Sequence, residues 1–347
     1  MQSLRPWPHC SESGIKPMTN DPKCLVEQVR AGQDQDRRAA AHLMTLLENA
    51  PERMPELLVG LADWPTARMV IGVTGPPGCG KSVLVDRLIA TWRIRHPACR
   101  IGVIAVDPSS PLTGGAFLGD RVRMMRHATD PNVFIRSAAS RGHIGGLMLG
   151  VTGFIRILAL AGCHIVLIET VGVGQNEVEI ADIADLVIVI AAPGNTSAIQ
   201  LLKCGLMEVG DIFVVNKADR EGAAELHAQL RAMLALTART HDGRTPDTCL
   251  VSALRDRGVS DIMDLCEKQA AEHESQWQAR RRLAILDEVR EAVLEEARKQ
   301  ILVALGPTSI ATEDLSRILR GEITVSGFVE EMFHRLIGDT HLKGRAL

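Results

Sequence analysis

The sequence predicts an α/β protein: a mostly parallel sheet flanked by helices, with helical extensions at both ends. Three observations predict it. Seven short, nearly continuous apolar runs occupy 69–75, 100–107, 132–137, 164–170, 185–193, 211–219 and 248–254, the pattern of strands buried on both faces. Helix-length segments separate them, so the strands must be joined by crossovers in a parallel arrangement. Outside this region, apolar residues recur at helical spacing instead.

Taken in order, residues 1–22 are polar and aperiodic and are expected to form a loose tail. Residues 23–66 form a helical extension, because Leu25, Val26 and Val29, then Ala40, Leu43, Leu46 and Leu47, then Leu57, Leu58 and Leu61 fall at helical spacing. Residues 67–265 form the strand-bearing domain, the texture switches to helix from about Gly258, and 266–347 form a helical C-terminal region. From Glu267 to Leu305, Trp277, Leu283, Leu286, Val289, Val293, Ala297 and Ile301 share something close to one face until Gly306 and Pro307 end the run. A helix of that length, about 50 Å, overhangs a single domain. Packing on its own domain and service as a dimerisation arm are equally open.

The chain has 347 residues, 46% of them hydrophobic and 23% charged, enough to bury a sizeable core. With 39 Lys and Arg against 42 Asp and Glu, the net charge of −3 leaves no footprint for a nucleic-acid backbone. The absence of tyrosine at 3% aromatic content also disfavours base-stacking platforms. The 8 cysteines are scattered singly, without CxxC pairs or zinc spacing, which suits reduced thiols. The N-terminal stretch lacks the apolar core of a signal peptide, and no run of about 18 apolar residues occurs. A cytoplasmic protein without membrane segments is expected.

The segment Gly75-Pro76-Pro77-Gly78-Cys79-Gly80-Lys81-Ser82 fits GxxxxGK[ST], directly after one expected strand and before an expected helix from Val83 to Trp92. That context gives the pattern its meaning. Glycines let the loop wrap so that backbone N–H groups face phosphate oxygens, and the helix N-terminus adds its dipole. Lys81 would reach the β- and γ-phosphates and Ser82 would ligate magnesium.

After the sixth run comes Asn216-Lys217-Ala218-Asp219, the NKxD pattern. A carboxylate at a strand mouth can accept from both the ring N–H and the exocyclic amine of guanine, whereas adenine offers no such pair, so Asp219 selects GTP over ATP. Ser252-Ala253-Leu254 ends the next run and fits a loop whose backbone meets the guanine keto group. Asp107, Asp120 and Glu169 fall at strand ends or in loops where a magnesium shell is expected, directly or through water. Arg123, Arg136 and Arg141 are candidate phosphate partners, with a solvated surface role at least as good for each.

In order and spacing, VTGPPGCGKS, VDPSSPLTGGAFLGDRVRM, RSAASRGHIGGL, IETVGVGQNEVEIADIADLVIV, VVNKAD and VSAL resemble the MeaB/ArgK family of methylmalonyl-CoA mutase-associated GTPases. The resemblance runs from about Leu25 to Leu265. It implies a P-loop GTPase domain of the SIMIBI class and a homodimeric, magnesium-dependent GTPase that gates adenosylcobalamin loading and rescue of an acyl-CoA mutase. That mutase is the implied partner, and its adenosyltransferase a possible second. By family position Lys81, Ser82, Val83 and the rest of the P-loop hold GTP or GDP, Asp107, Asp120 and Glu169 shape the metal site, and Asn216, Lys217 and Asp219 read guanine. Arg123, in the switch I segment, would stabilise transition-state charge, and Gln175 is comparable with a water-positioning glutamine.

The sequence departs from that family at three places. Val83 replaces a threonine after the P-loop serine, and Arg121 replaces a lysine. In the stretch Pro193 to Gln200, where members carry PGAGDELQ, both acids are replaced, by Ser197 and Ala198, although Lys203 remains. The nucleotide chemistry is expected intact and the coupling to a mutase altered. Rival readings are a nickel metallochaperone of the same class, which the scattered histidines do not favour, a transport-system kinase, and a module that holds nucleotide without turning it over.

Overall fold

The computed structural model describes residues 21–30, 36–49, 66–108, 125–127, 129–140, 146–170, 176–194, 197–237, 245–304 and 312–332. All seven expected strands form: β1 (Met69–Thr74), β2 (Ile101–Pro108), β3 (Val133–Ser140), β4 (Ile165–Glu169), β5 (Leu186–Ala191), β6 (Ile212–Val215) and β7 (Asp247–Leu250). They build one parallel sheet in the order β3-β2-β4-β1-β5-β6-β7. Strand β1 lies between β4 and β5, where the chain's winding reverses, and ligands of such sheets bind beyond the carboxyl ends of strands at that point.

The strands alternate their side chains between two helical layers. Val70, Val166, Val187, Phe213 and Val215 pack with α1 (Pro22–Arg30), α2 (Asp36–Asn49) and four later helices. These are α4 (Gly146–Leu160), α5 (Asn176–Ile183), α7 (Leu206–Val209) and α8 (Ala223–Thr237), with the short α6 (Ala198–Lys203) before α7. On the opposite face Ile71, Val73, Leu167, Ile188 and Ile190 pack with α3 (Lys81–Arg95) and the first part of α9 (Val259–Ala304). Burial on both faces is why these strands read as continuous apolar runs.

Carboxylates satisfy two backbone donors at strand beginnings: Val70 N–H donates to Asp185 Oδ2 at 2.7 Å and Val187 N–H to Asp211 Oδ2 at 2.8 Å. Helices α1 and α2 place Leu25, Val29, Leu43 and Leu47 in the core as the spacing predicts. The expected helix at Leu57 to Leu61 lies outside the described residues.

One boundary differs from expectation. Helix α3 starts at Lys81 rather than Val83, because left-handed Gly80 already ends the loop. Helix α9 starts at Val259, where the change to helix from about Gly258 places it, and its first turns pack Val259, Ile262, Met263 and Cys266 into the core. The chain divides into two compact units, Met1–Arg280 and Arg281–Leu347. In the second, the rest of α9 is followed by α10 (Thr312–Leu319) and a helix over 325–332, with Phe328 buried and Arg317 paired to Glu331 at 3.4 Å. Leu283, Leu286, Val289 and Val293 are 60%, 52%, 53% and 62% exposed. No helix among the described residues is long and apolar enough to cross a membrane.

Candidate functional site

The loop from Gly75 to Gly80 joins β1 to α3 at the carboxyl edge of the sheet. Its shape needs glycine at both ends. Gly75 has φ +141°, and a Cβ there would stand 2.2 Å from the Ile190 carbonyl oxygen of β5. Gly80 has φ +98°, and its Cβ would stand 2.5 Å from Asn216 Nδ2. With no side-chain cap at Gly80, the first N–H groups of α3 remain for an anion. Lys81 is buried and Nζ donates to the carbonyls of Gly75 at 2.7 Å and Pro76 at 3.2 Å. The ammonium is therefore held inside the loop that would wrap a phosphate. Cys79 turns its side chain into the core under α3, fully buried. It serves the loop through its backbone, and burial pushes its thiol pKa up.

Ser82 Oγ donates to Glu169 Oε1 at 2.6 Å, and both residues are buried. A hydroxyl and a carboxylate oxygen from the first turn of α3 and the end of β4 are hard donors that suit magnesium. Asp107 is near the end of β2, but its side chain lies outside the described residues, as do Asp120, Arg123, Gln175 and Arg141. Arg136 is corrected: its guanidinium pairs with Glu48 at 2.9 Å and Thr45 Oγ1 at 3.1 Å, tying β3 to α2. As a strand residue it takes the face that α2 covers, not the phosphate side.

Beyond β6, Asn216 is buried and joins two loops. Its Nδ2 donates to the Cys79 carbonyl at 2.9 Å, and its Oδ1 accepts the Ala253 N–H at 3.0 Å. The Ala253 N–H is thus already engaged, although the sequence reading offers this loop's backbone to the guanine keto group. Lys217 takes a left-handed φ of 59°, uncommon for a side chain of its size, and Nζ donates to the Gly78 carbonyl at 2.6 Å. Ser252 Oγ donates to Asp219 Oδ1 at 2.5 Å. That bond, with Arg255 nearby, holds the Asp219 carboxyl below the usual carboxylate range. Leu254 is exposed, and Val83 is half-buried in the first turn of α3.

The structure thus gathers the P-loop, Glu169, Asn216, Lys217, Asp219, Ser252 and Ala253 at one sheet edge. An anion cradle stands at one end and an ionised carboxylate at the other. Sequence reasoning missed Arg255, beside Asp219 in the turn after Leu254. A basic residue directly after the SAL triplet was the available signal. Among the described residues, no group of three or more His, Cys, Asp or Glu is arranged to hold a metal ion.

A parallel sheet with a phosphate loop at its switch point and an NKxD carboxylate beside it defines a P-loop GTP-hydrolysing protein. The family model described as "Methylmalonyl Co-A mutase-associated GTPase MeaB" matches residues 40–304, and the chain belongs to that family. It is 36% identical to "GTPase ArgK" of Escherichia coli over 69% of this chain and 73% of that protein. A Pyrococcus horikoshii protein described as a GTPase is 38% identical over 90% of this chain and 98% of its own length. The mouse "Methylmalonic aciduria type A homolog, mitochondrial" is 33% identical over 56% of this chain and 47% of that protein. The solved structure titled "Crystal structure of LAO/AO transport system kinase" superposes with TM-score 0.64 at 25% identity, covering 92% of this chain and 99% of that one.

Proposed function

We propose that this GTPase is a magnesium-dependent chaperone of an adenosylcobalamin-dependent acyl-CoA mutase, in which GTP binding and hydrolysis gate cofactor loading and rescue. The observation that carries the nucleotide half is the joint made by Asn216, which ties the phosphate loop to the loop bearing Ser252 and hence to Asp219. The family's description as mutase-associated supports the partner.

In this reading Lys81 leaves the Gly75 and Pro76 carbonyls for the β- and γ-phosphates, and the N–H groups at the start of α3 bind phosphate oxygens. Ser82 and Glu169 hold magnesium, with Asp107 and Asp120 completing its surroundings. Magnesium held there would supply charge neutralisation at the phosphates. Asp219 takes the N1–H and 2-amino group of guanine, and Lys217 covers the loop beneath. Arg123 stabilises transition-state charge when the mutase is bound, and Gln175 orients the attacking water.

The exposed apolar face of the C-terminal region, 266–347, is a dimerisation arm of a cytoplasmic homodimer. Neutral Ser197 and Ala198, in place of two acids, favour a relative of methylmalonyl-CoA mutase as client. In the structure Ser197 caps α6: its Oγ accepts the Gln200 N–H at 3.2 Å, and Gln200 Oε1 accepts the Ser197 N–H at 3.0 Å. The loss of charge therefore leaves a formed helix start.

The test is GTP turnover by the purified chain, alone and with each adenosylcobalamin-dependent mutase of the same source. Slow turnover that one mutase accelerates supports the reading. Fast turnover indifferent to all of them overturns it. Phosphate transfer from nucleotide to a substrate-binding transport protein would favour the kinase activity named for the solved neighbour.

A further inference from the structure

We propose that Arg255 sets how strictly the base site demands the 2-amino group of guanine. The inference rests on the reading of Asp219 as the base-recognising carboxylate. An ionised carboxylate has about four lone-pair positions. At Asp219, one is taken by the Ser252 hydroxyl on Oδ1, and guanine's N1–H and amine would take two. Arg255 stands beside the same carboxylate, its Nε 3.5 Å from Oδ2. That distance is ion-pair contact rather than a hydrogen bond.

The turn that carries Arg255 is held firmly. Ser252 and Arg257 exchange backbone hydrogen bonds at 3.0 and 3.1 Å, the Arg255 N–H donates to the Ser252 carbonyl at 3.1 Å, and Asn216 anchors Ala253. The Arg255 side chain is 58% exposed. The backbone is therefore fixed while the side chain is free to move a fraction of an ångström.

Hypoxanthine shares guanine's N1–H and lacks the amine. In a site without Arg255, a hypoxanthine nucleotide leaves one carboxylate position without a donor, which is how polar sites reject a missing group. In this chain Arg255 can close onto the vacated position. It thereby softens discrimination against hypoxanthine while leaving adenine, which presents no N1–H, excluded.

The experiment measures GDP and IDP affinity by calorimetry for the full chain, Arg255→Ala and Arg255→Lys, with Asp219→Asn alongside. Because both ligands bind the same protein, a general loss of stability cancels in the ratio. Arg255→Ala should raise the GDP-over-IDP preference by roughly three- to tenfold, the range of one partly solvated charged hydrogen bond. Arg255→Lys should keep it near the parent value. A ratio that stays constant or falls in Arg255→Ala overturns the proposal. Asp219→Asn separates the layers: if it leaves guanine preference intact, the reading of Asp219 fails, whatever Arg255 does.

Discussion

Replacing Asn216 by alanine should damage the fold and the nucleotide site together, by an amount the structure allows one to work out. Asn216 is 3% exposed, and its amide makes one hydrogen bond to each of two loops, at 2.9 Å to the Cys79 carbonyl and 3.0 Å to the Ala253 N–H. Truncation leaves both backbone groups without these partners in a region with little water. A buried group left unsatisfied costs about 1–3 kcal/mol, so the pair costs about 2–6 kcal/mol, a large share of the usual 5–15 kcal/mol of domain stability. Urea unfolding followed by the fluorescence of the core residue Trp92 should show the midpoint falling on the order of 1 M at unchanged slope. GDP affinity should fall with it, since the phosphate and base loops lose their joint. Asn216→Asp keeps an acceptor for Ala253 but sets an oxygen against the Cys79 carbonyl, and should lose about as much. A midpoint shift below about 0.2 M with GDP affinity intact would refute Asn216 as the strut between the loops.

Among the described cysteines, iodoacetamide at pH 8 should label exposed Cys204 first and spare Cys79, Cys249 and Cys266. Burial pushes the Cys249 thiol up to about 12 and raises Cys266 and Cys79 as well, and peptide mass mapping that found Cys79 labelled as fast as Cys204 would contradict the packing of the P-loop. The preference for GDP over ADP should hold from pH 8 down to about pH 5, because the Asp219 carboxyl is held below its ordinary value near 4. Its contribution is present above the ordinary pKa and disappears as pH falls through the depressed one; competition binding that showed the preference vanishing near pH 6 would implicate a different group.

The sheet was legible because its central strands are covered on both faces, which writes burial into the sequence as an unbroken apolar run; β1 and β5 are buried at every position. The P-loop and NKxD segment were legible because their chemistry depends on residue type at fixed spacing beside a strand end. Arg136 was misread because a strand's alternation decides the face, and the partner on that face, Glu48, is 88 residues away. The start of α9 was legible at Gly258, after which the strand texture gives way to helix. Arg255 was missed because its proximity to Asp219 arises from two loops meeting across β6 and β7, which no local pattern encodes.

The central claim is tested most directly by nucleotide turnover in the presence of magnesium, comparing GTP with ATP for the parent chain and Lys81→Ala. The account predicts that the parent hydrolyses GTP and not ATP, and that Lys81→Ala, which loses the ammonium held in the P-loop at Gly75, hydrolyses neither. Equal use of ATP would contradict the base site, and undiminished GTP turnover by Lys81→Ala would contradict the phosphate site.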